Sequence, residues 1–199
     1  MPIRNYVFNE RFTPTNFNTY SLNNGMKWIA SFTANSSANG IELYNCFTSE
    51  FDAYKIVINE MYTYTPSVTV NIGMQMATGG TTPYTNANYY SAKYATFYSS
   101  NTASSTGDSG ATQWGLTSIR TSPFYTSAGT IDITGFASPR RPTMTAMFSD
   151  VGSSLGNGRT WLQSGLLYNQ ATYTGFKIFP IGGSSTLSAI CNVYGYRKV

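Results

Sequence analysis

Val68-Thr69-Val70-Asn71-Ile72-Gly73-Met74-Gln75-Met76 alternates apolar with polar or small residues along its whole length. A strand shows successive side chains to opposite faces, so this period of two predicts a half-buried β-strand. Stretches rich in Tyr, Thr, Val, Ile and Phe extend the pattern to 26–33, 41–44, 54–64, 89–97, 130–134, 143–148, 159–168, 173–179 and 187–197. Such residues suit a pleated, half-buried surface. Turn chemistry separates them, as at Asn23-Asn24-Gly25, Ala38-Asn39-Gly40, Thr65-Pro66-Ser67, Gly79-Gly80, Gly156-Asn157-Gly158 and Gly182-Gly183. No window of helical length carries a clean 3.6-residue stripe. The expected fold is therefore all-β: a two-sheet antiparallel β-sandwich, jelly-roll-like.

The flanks of these strands read differently. Residues 1–25 place Phe8, Phe12, Phe17 and Tyr20 irregularly among polar residues and Pro14. This segment is expected to be an extended arm, with an edge strand as the alternative. Residues 26–199 are expected to form a single sandwich domain, since no charged or Pro-rich linker divides them. The run 99–113, SSNTASSTGDSGATQ, has no large apolar residue to anchor it and is expected to be the longest surface loop.

Only 10% of the residues are charged, so surface polarity must come from Ser, Thr, Asn, Gln, Gly and Tyr. That composition is typical of extracellular β-domains and virion proteins. Net charge is +4, with Arg140-Arg141 and Arg197-Lys198 the only dense basic spots. Nucleic-acid binding needs a basic stripe or patch, and none is expected here. A positive exterior still favours docking on an acidic protein surface. Met1-Pro2-Ile3-Arg4-Asn5 lacks the apolar run of a signal peptide, and no stretch is apolar enough for a membrane helix. A soluble protein without an export signal of its own, and with no membrane contact, is expected. Cys46 and Cys191 both sit in apolar runs and read as buried free thiols.

Catalytic and metal chemistry find little purchase. Gly107-Asp108-Ser109-Gly110 matches the run around the nucleophile of trypsin-like proteases, but that serine needs a histidine base, and the chain has no His. Glu50 and Asp52 lie two apart in a turn, where capping outweighs acid–base work. No C-x-x-C spacing suggests zinc, and the carboxylates do not cluster as calcium requires. Neither a P-loop nor a dinucleotide fingerprint is present. No catalytic residue, cofactor or metal is expected. The sixteen tyrosines are the most abundant functional resource. Tyr84, Tyr89, Tyr90, Tyr94 and Tyr98 form the densest group, read either as packing residues that keep their hydroxyls wet or as platforms for a glycan.

Phe51-Asp52-Ala53-Tyr54-Lys55-Ile56-Val57-Ile58 resembles an F-D-x-Y-K-I-x-I strand of tailed-phage virion proteins. In those proteins an alternating strand, a Gly-Gly segment and a Tyr-rich stretch follow. Residues 68–76, Gly79-Gly80 and 84–94 keep that order. Gly175-Phe176-Lys177-Ile178 and Val193-Tyr194-Gly195-Tyr196-Arg197-Lys198 resemble the terminal strand pair of the same family. The chain departs from it at Gly182-Gly183, where the family has a Gly-Asn turn, and at Ser188-Ala189, where the family's step is Gly-based. The resemblance implies a non-enzymatic β-sandwich protein of the virion surface, assembled in the host cytoplasm, commonly as a homotrimer. Its partners would be the major capsid protein or other virion proteins. For a capsid decoration or cement protein, the expected contact is the arm, through Ile3, Arg4, Tyr6, Phe8, Arg11, Phe12, Phe17 and Tyr20. For the alternative, a tail-fibre or tail-associated domain, it is a host glycan on Tyr84, Tyr89, Tyr90, Tyr94 and Tyr98.

Overall fold

The structure is a computed structural model that describes residues 25–63, 69–100, 102–120, 126–137, 139–150, 158–182 and 185–197. The arm residues from Ile3 to Tyr20 lie outside the described residues. The described strands, in order, are β1 Met26–Ala38, β2 Ile41–Leu43, β3 Phe51–Thr63, β4 Thr69–Thr78, β5 Thr82–Pro83, β6 Tyr89–Phe97, β7 Ala103–Ala111, β8 Trp114–Arg120, β9 Ser127–Thr134, β10 Thr143–Asp150, β11 Arg159–Leu167, β12 Tyr173–Pro180 and β13 Leu187–Arg197. They form two antiparallel sheets, and no helix occurs among the described residues. The larger sheet runs β1-β13-β3-β9-β10-β11-β6-β7. The smaller runs β2-β12-β4-β5, with β8 also on β4. The two-sheet antiparallel sandwich expected from the sequence is the fold observed.

The core follows from the alternation. Tyr54, Ile56 and Ile58 of β3 point inward beside Ile131 and Ile133 of β9 and Val193 of β13. They meet Ile72, Met74 and Met76 of β4 and Phe176 and Ile178 of β12. At one end Phe47, Phe51, Tyr54, Phe136 and Phe176 pack as a cluster with ring centroids 4.5–5.8 Å apart. Edge-to-face and tilted contacts of this kind add to burial itself.

The alternation of β4 is corrected over part of its length. From Ile72 to Ala77 every residue is buried, on both faces. Ile181 and the Gln113 side chain lie against the second face at Gly73, where an added Cβ would sit 2.9 Å from Ile181. Gln75 donates to the Thr112 carbonyl at 3.1 Å. Polar and small residues therefore occupy this face because other segments cover it.

The expected surface loop at 99–113 is corrected too. Residues 103–111 form β7, which among the described residues pairs only with β6 at the edge of the sheet. Its seven leading residues are all exposed, so no apolar period betrays it in the sequence.

Candidate functional site

Four strands, β10, β11, β6 and β7, continue the larger sheet beyond β9. This extension carries both surfaces of functional interest. Its outer face comes from cross-strand register. Tyr94 lies opposite Leu162, and Leu162 opposite Met147. Each is about half exposed, at 47%, 49% and 51%. Tyr90 and Tyr98 flank this row on the same strand face, and Tyr168 adds to it. Tyr90 meets Tyr168 edge-on at 6.4 Å, and the Arg141 guanidinium stacks on Tyr168 at 3.8 Å. At the far edge of the same sheet Met26 and Trp28 are also exposed, Trp28 opposite Tyr194 and Met26 opposite Tyr196. Lys55 and Asp132 form an ion pair between the two apolar groups.

The tyrosine group singled out from sequence is divided by the pleat. Tyr90, Tyr94 and Tyr98 face outward. Tyr89 is fully buried, accepting from the Met76 N–H at 3.0 Å and donating to the Tyr84 carbonyl at 2.9 Å. Its ring meets Trp114 edge-on at 5.2 Å. Tyr84 packs against Tyr89 and Tyr173, and its hydroxyl takes hydrogen bonds from Asn88 and Asn169, both at 2.6 Å. A glycan platform through Tyr84 and Tyr89 is therefore corrected: both belong to the packing, and burial pushes the Tyr89 hydroxyl pKa strongly upward.

The inner face of the extension differs from the rest of the core. Along one inward row the register runs Ile56, Ile131, Ala146, Gln163, Lys93, Thr106. The row turns polar where the larger sheet outreaches the smaller. There a cleft of about 310 Å³ opens between the sheets. Lys93 Nζ lies 3.4 Å from Asp108 Oδ2, and Ser91 donates to the same oxygen at 3.3 Å. The Lys93 ammonium rests on the backbone of Gly115, where any Cβ would collide with it. Trp161 forms a wall, braced by Arg159 at 5.2 Å from its ring. Ser118 donates to Asn71 Oδ1 at 2.6 Å on the opposite wall.

The protease-like run 107–110 thus lies on β7, with Asp108 engaged by Lys93 rather than by a catalytic base. Glu50 pairs with Lys27 at 2.9 Å, on the exposed surface. Among the described residues no three His, Cys, Asp or Glu side chains gather as a metal site. Cys46 and Cys191 are free and buried, as expected. Sequence reading missed the cleft, although Lys93 stands in register with inward-facing Tyr89 on a strand whose limits it found. A charged residue at an inward position was the available signal. Compared with protein-family models, curated proteins and solved structures, the chain matches none.

Proposed function

We propose that the protein is a non-enzymatic structural protein of a tailed-phage virion, decorating or cementing the outer capsid surface as an oligomer. The observation that carries this reading is the outer face of the eight-stranded sheet, with Tyr90, Tyr94, Met147, Leu162, Met26 and Trp28 exposed. The exposed apolar residues form two groups on either side of the Lys55–Asp132 ion pair, and exposed apolar clusters rimmed by polar residues mark interaction sites. Eight strands at ~4.8 Å spacing and about six residues of strand give a face of roughly 750 Å², close to one partner's share of a standard interface. The occupant proposed is the major capsid protein, with neighbouring copies of this chain completing a trimer.

Connectivity supports a jelly-roll reading. The order β1-β13-β3-β9 lies across from β2-β12-β4-β8. First strand pairs with last and second with next to last, which is how a jelly roll closes on itself. Strands β5, β6, β7, β10 and β11 then count as insertions, and all but β5 widen the larger sheet. The arm, residues 1–25, would add contacts through its aromatics and through Arg4 and Arg11 to acidic capsid groups.

The test is immunogold labelling of intact virions, paired with particle binding by a variant lacking residues 1–20. Label over the head, and loss of binding by a truncated chain that still folds, are expected. Virions without label would overturn the proposal. Label confined to tails would favour a second reading, a tail-fibre or tail-associated domain that recognises a host glycan. The exposed Tyr90, Tyr94 and Tyr98, aligned on one face, support that alternative.

A further inference from the structure

We propose that the cleft between β8 and the β6–β7–β11 extension binds a neutral saccharide of one or two rings. The inference does not depend on where on a virion the protein sits, and it uses none of the outer face.

Size is the first argument. About 310 Å³ lies at the lower end of the range that small-molecule sites occupy. Chemistry is the second. Lys93 offers ammonium donors, and Asp108 offers a carboxylate acceptor 3.4 Å away. Adjacent sugar hydroxyls both donate and accept, so one diol can bridge the two. The pair is electrically balanced, so a neutral ligand keeps it intact. An anion would have to displace Asp108 from Lys93. Gln113, Asn71 and Ser118 add neutral polar groups, and Trp161 supplies an aromatic wall for the apolar face of a sugar ring.

The third argument is an unsatisfied group. Thr117 is buried, lines the cleft, and its Oγ1 has no hydrogen-bond partner among the described residues. Buried hydroxyls are almost always paired, so an unpaired one on a residue that lines the cleft marks a bond that a ligand oxygen would complete. Preorganisation is the fourth. Gly115 is buried and its missing side chain is the seat of the Lys93 ammonium. Lys93 is therefore held in place before any ligand arrives, which lowers the ordering cost of binding.

The test is a titration of ¹⁵N-labelled full-length protein with glucose, galactose, N-acetylglucosamine and rhamnose, and with N-acetylneuraminic acid as the anionic comparator. The Trp161 indole N–H is assigned with Trp161→Phe. Saturable shifts at the Trp161 indole and the Gly115 amide are expected with at least one neutral sugar. Asp108→Asn, a half-exposed site where the fold should survive, is expected to weaken binding about tenfold through loss of charge-assisted bonds. Thr117→Val, which keeps shape and removes the hydroxyl, should weaken it as well. Absence of shifts with every neutral sugar at tens of millimolar would overturn the proposal. So would affinity unchanged in both variants, or binding of the acidic sugar alone.

Discussion

The Lys55 ammonium lies 2.7 Å from Asp132 Oδ2, on the outer face of the larger sheet between its two apolar groups. Tyr196 donates to the other carboxylate oxygen at 2.9 Å. Burial pulls the Lys55 pKa down, but the Asp132 hydrogen bond and charge, with Tyr196, outweigh it and the net shift is upward. Burial, then Asp132, raise the Tyr196 hydroxyl as well. A pKa raised on folding contributes stability that is complete below the unfolded value and is lost as pH climbs through the folded one. The chain has no histidine to titrate near neutrality. Stability should therefore fall cooperatively above about pH 10, where lysine and tyrosine ionise. Asp132→Asn should lower stability by about 1 kcal/mol and remove this pair's share of the alkaline slope. Denaturant titrations from pH 6 to pH 11 check both. A variant slope equal to that of the parent protein would count against the pair.

A charge placed on the apolar row should separate folding from assembly. Leu162 stands between Tyr94 and Met147 and is 49% exposed. Leu162→Glu removes little buried area, so the change in unfolding free energy should stay within about 0.5 kcal/mol. A charge desolvated in an interface costs far more. Under the proposed capsid role, oligomer formation by analytical ultracentrifugation and occupancy on capsids should both be lost while Tm holds. An unchanged oligomer would place the assembly surface elsewhere.

Tyr89 and Tyr90 are sequence neighbours with opposite duties. Removing the Tyr89 hydroxyl leaves the buried Met76 N–H without its acceptor. Tyr89→Phe should cost about 1–3 kcal/mol, the usual penalty for an unsatisfied buried group. Tyr90→Phe leaves the outer face apolar and should be nearly neutral. Thermal unfolding of the two variants side by side decides the matter, and equal Tm values would contradict the division.

What was legible in the sequence tracks how strands are buried. Strands with one face in the core announced themselves by period two, and β6 and β13 were found at their full lengths. Besides the two-residue β5, two strands were hidden for opposite reasons. β7 has no apolar face at all, while β8, Trp114–Arg120, is buried at nearly every described position, so neither alternates. The cleft lies between those two strands, and its residues therefore fell in stretches that carried no strand signal. Asn71, Ile72, Trp161 and Lys93 were the exceptions, and of these only Lys93 is charged. Its inward register on β6 beside Tyr89 is visible in the sequence, but the Gly115 seat and Asp108 partner arise only from packing.

Cys46 and Cys191 come from separate segments, and each thiol is pushed up to about 12, first by burial. Cys191 also feels the charge that Cys46 would carry, so the two sites are electrostatically coupled. The thiolate is the reactive species, and at pH 8 only about one thiol in ten thousand would be ionised at such a pKa. Folded protein should therefore resist an aromatic disulfide reagent for hours. Unfolding should release two reactive thiols per chain. Reductant should leave Tm unchanged, since no disulfide constrains the unfolded chain. The same pKa values carry a pH dependence. The unfolded thiols ionise near pH 9, so this contribution is complete below that value and is lost as pH rises toward 12. Cys191→Ala should remove its part of that dependence. Its methyl leaves a small void between β3 and β1, at a cost of about 1 kcal/mol at neutral pH. Rapid stoichiometric labelling of the folded protein would mean that this end of the core opens far more readily than its packing implies.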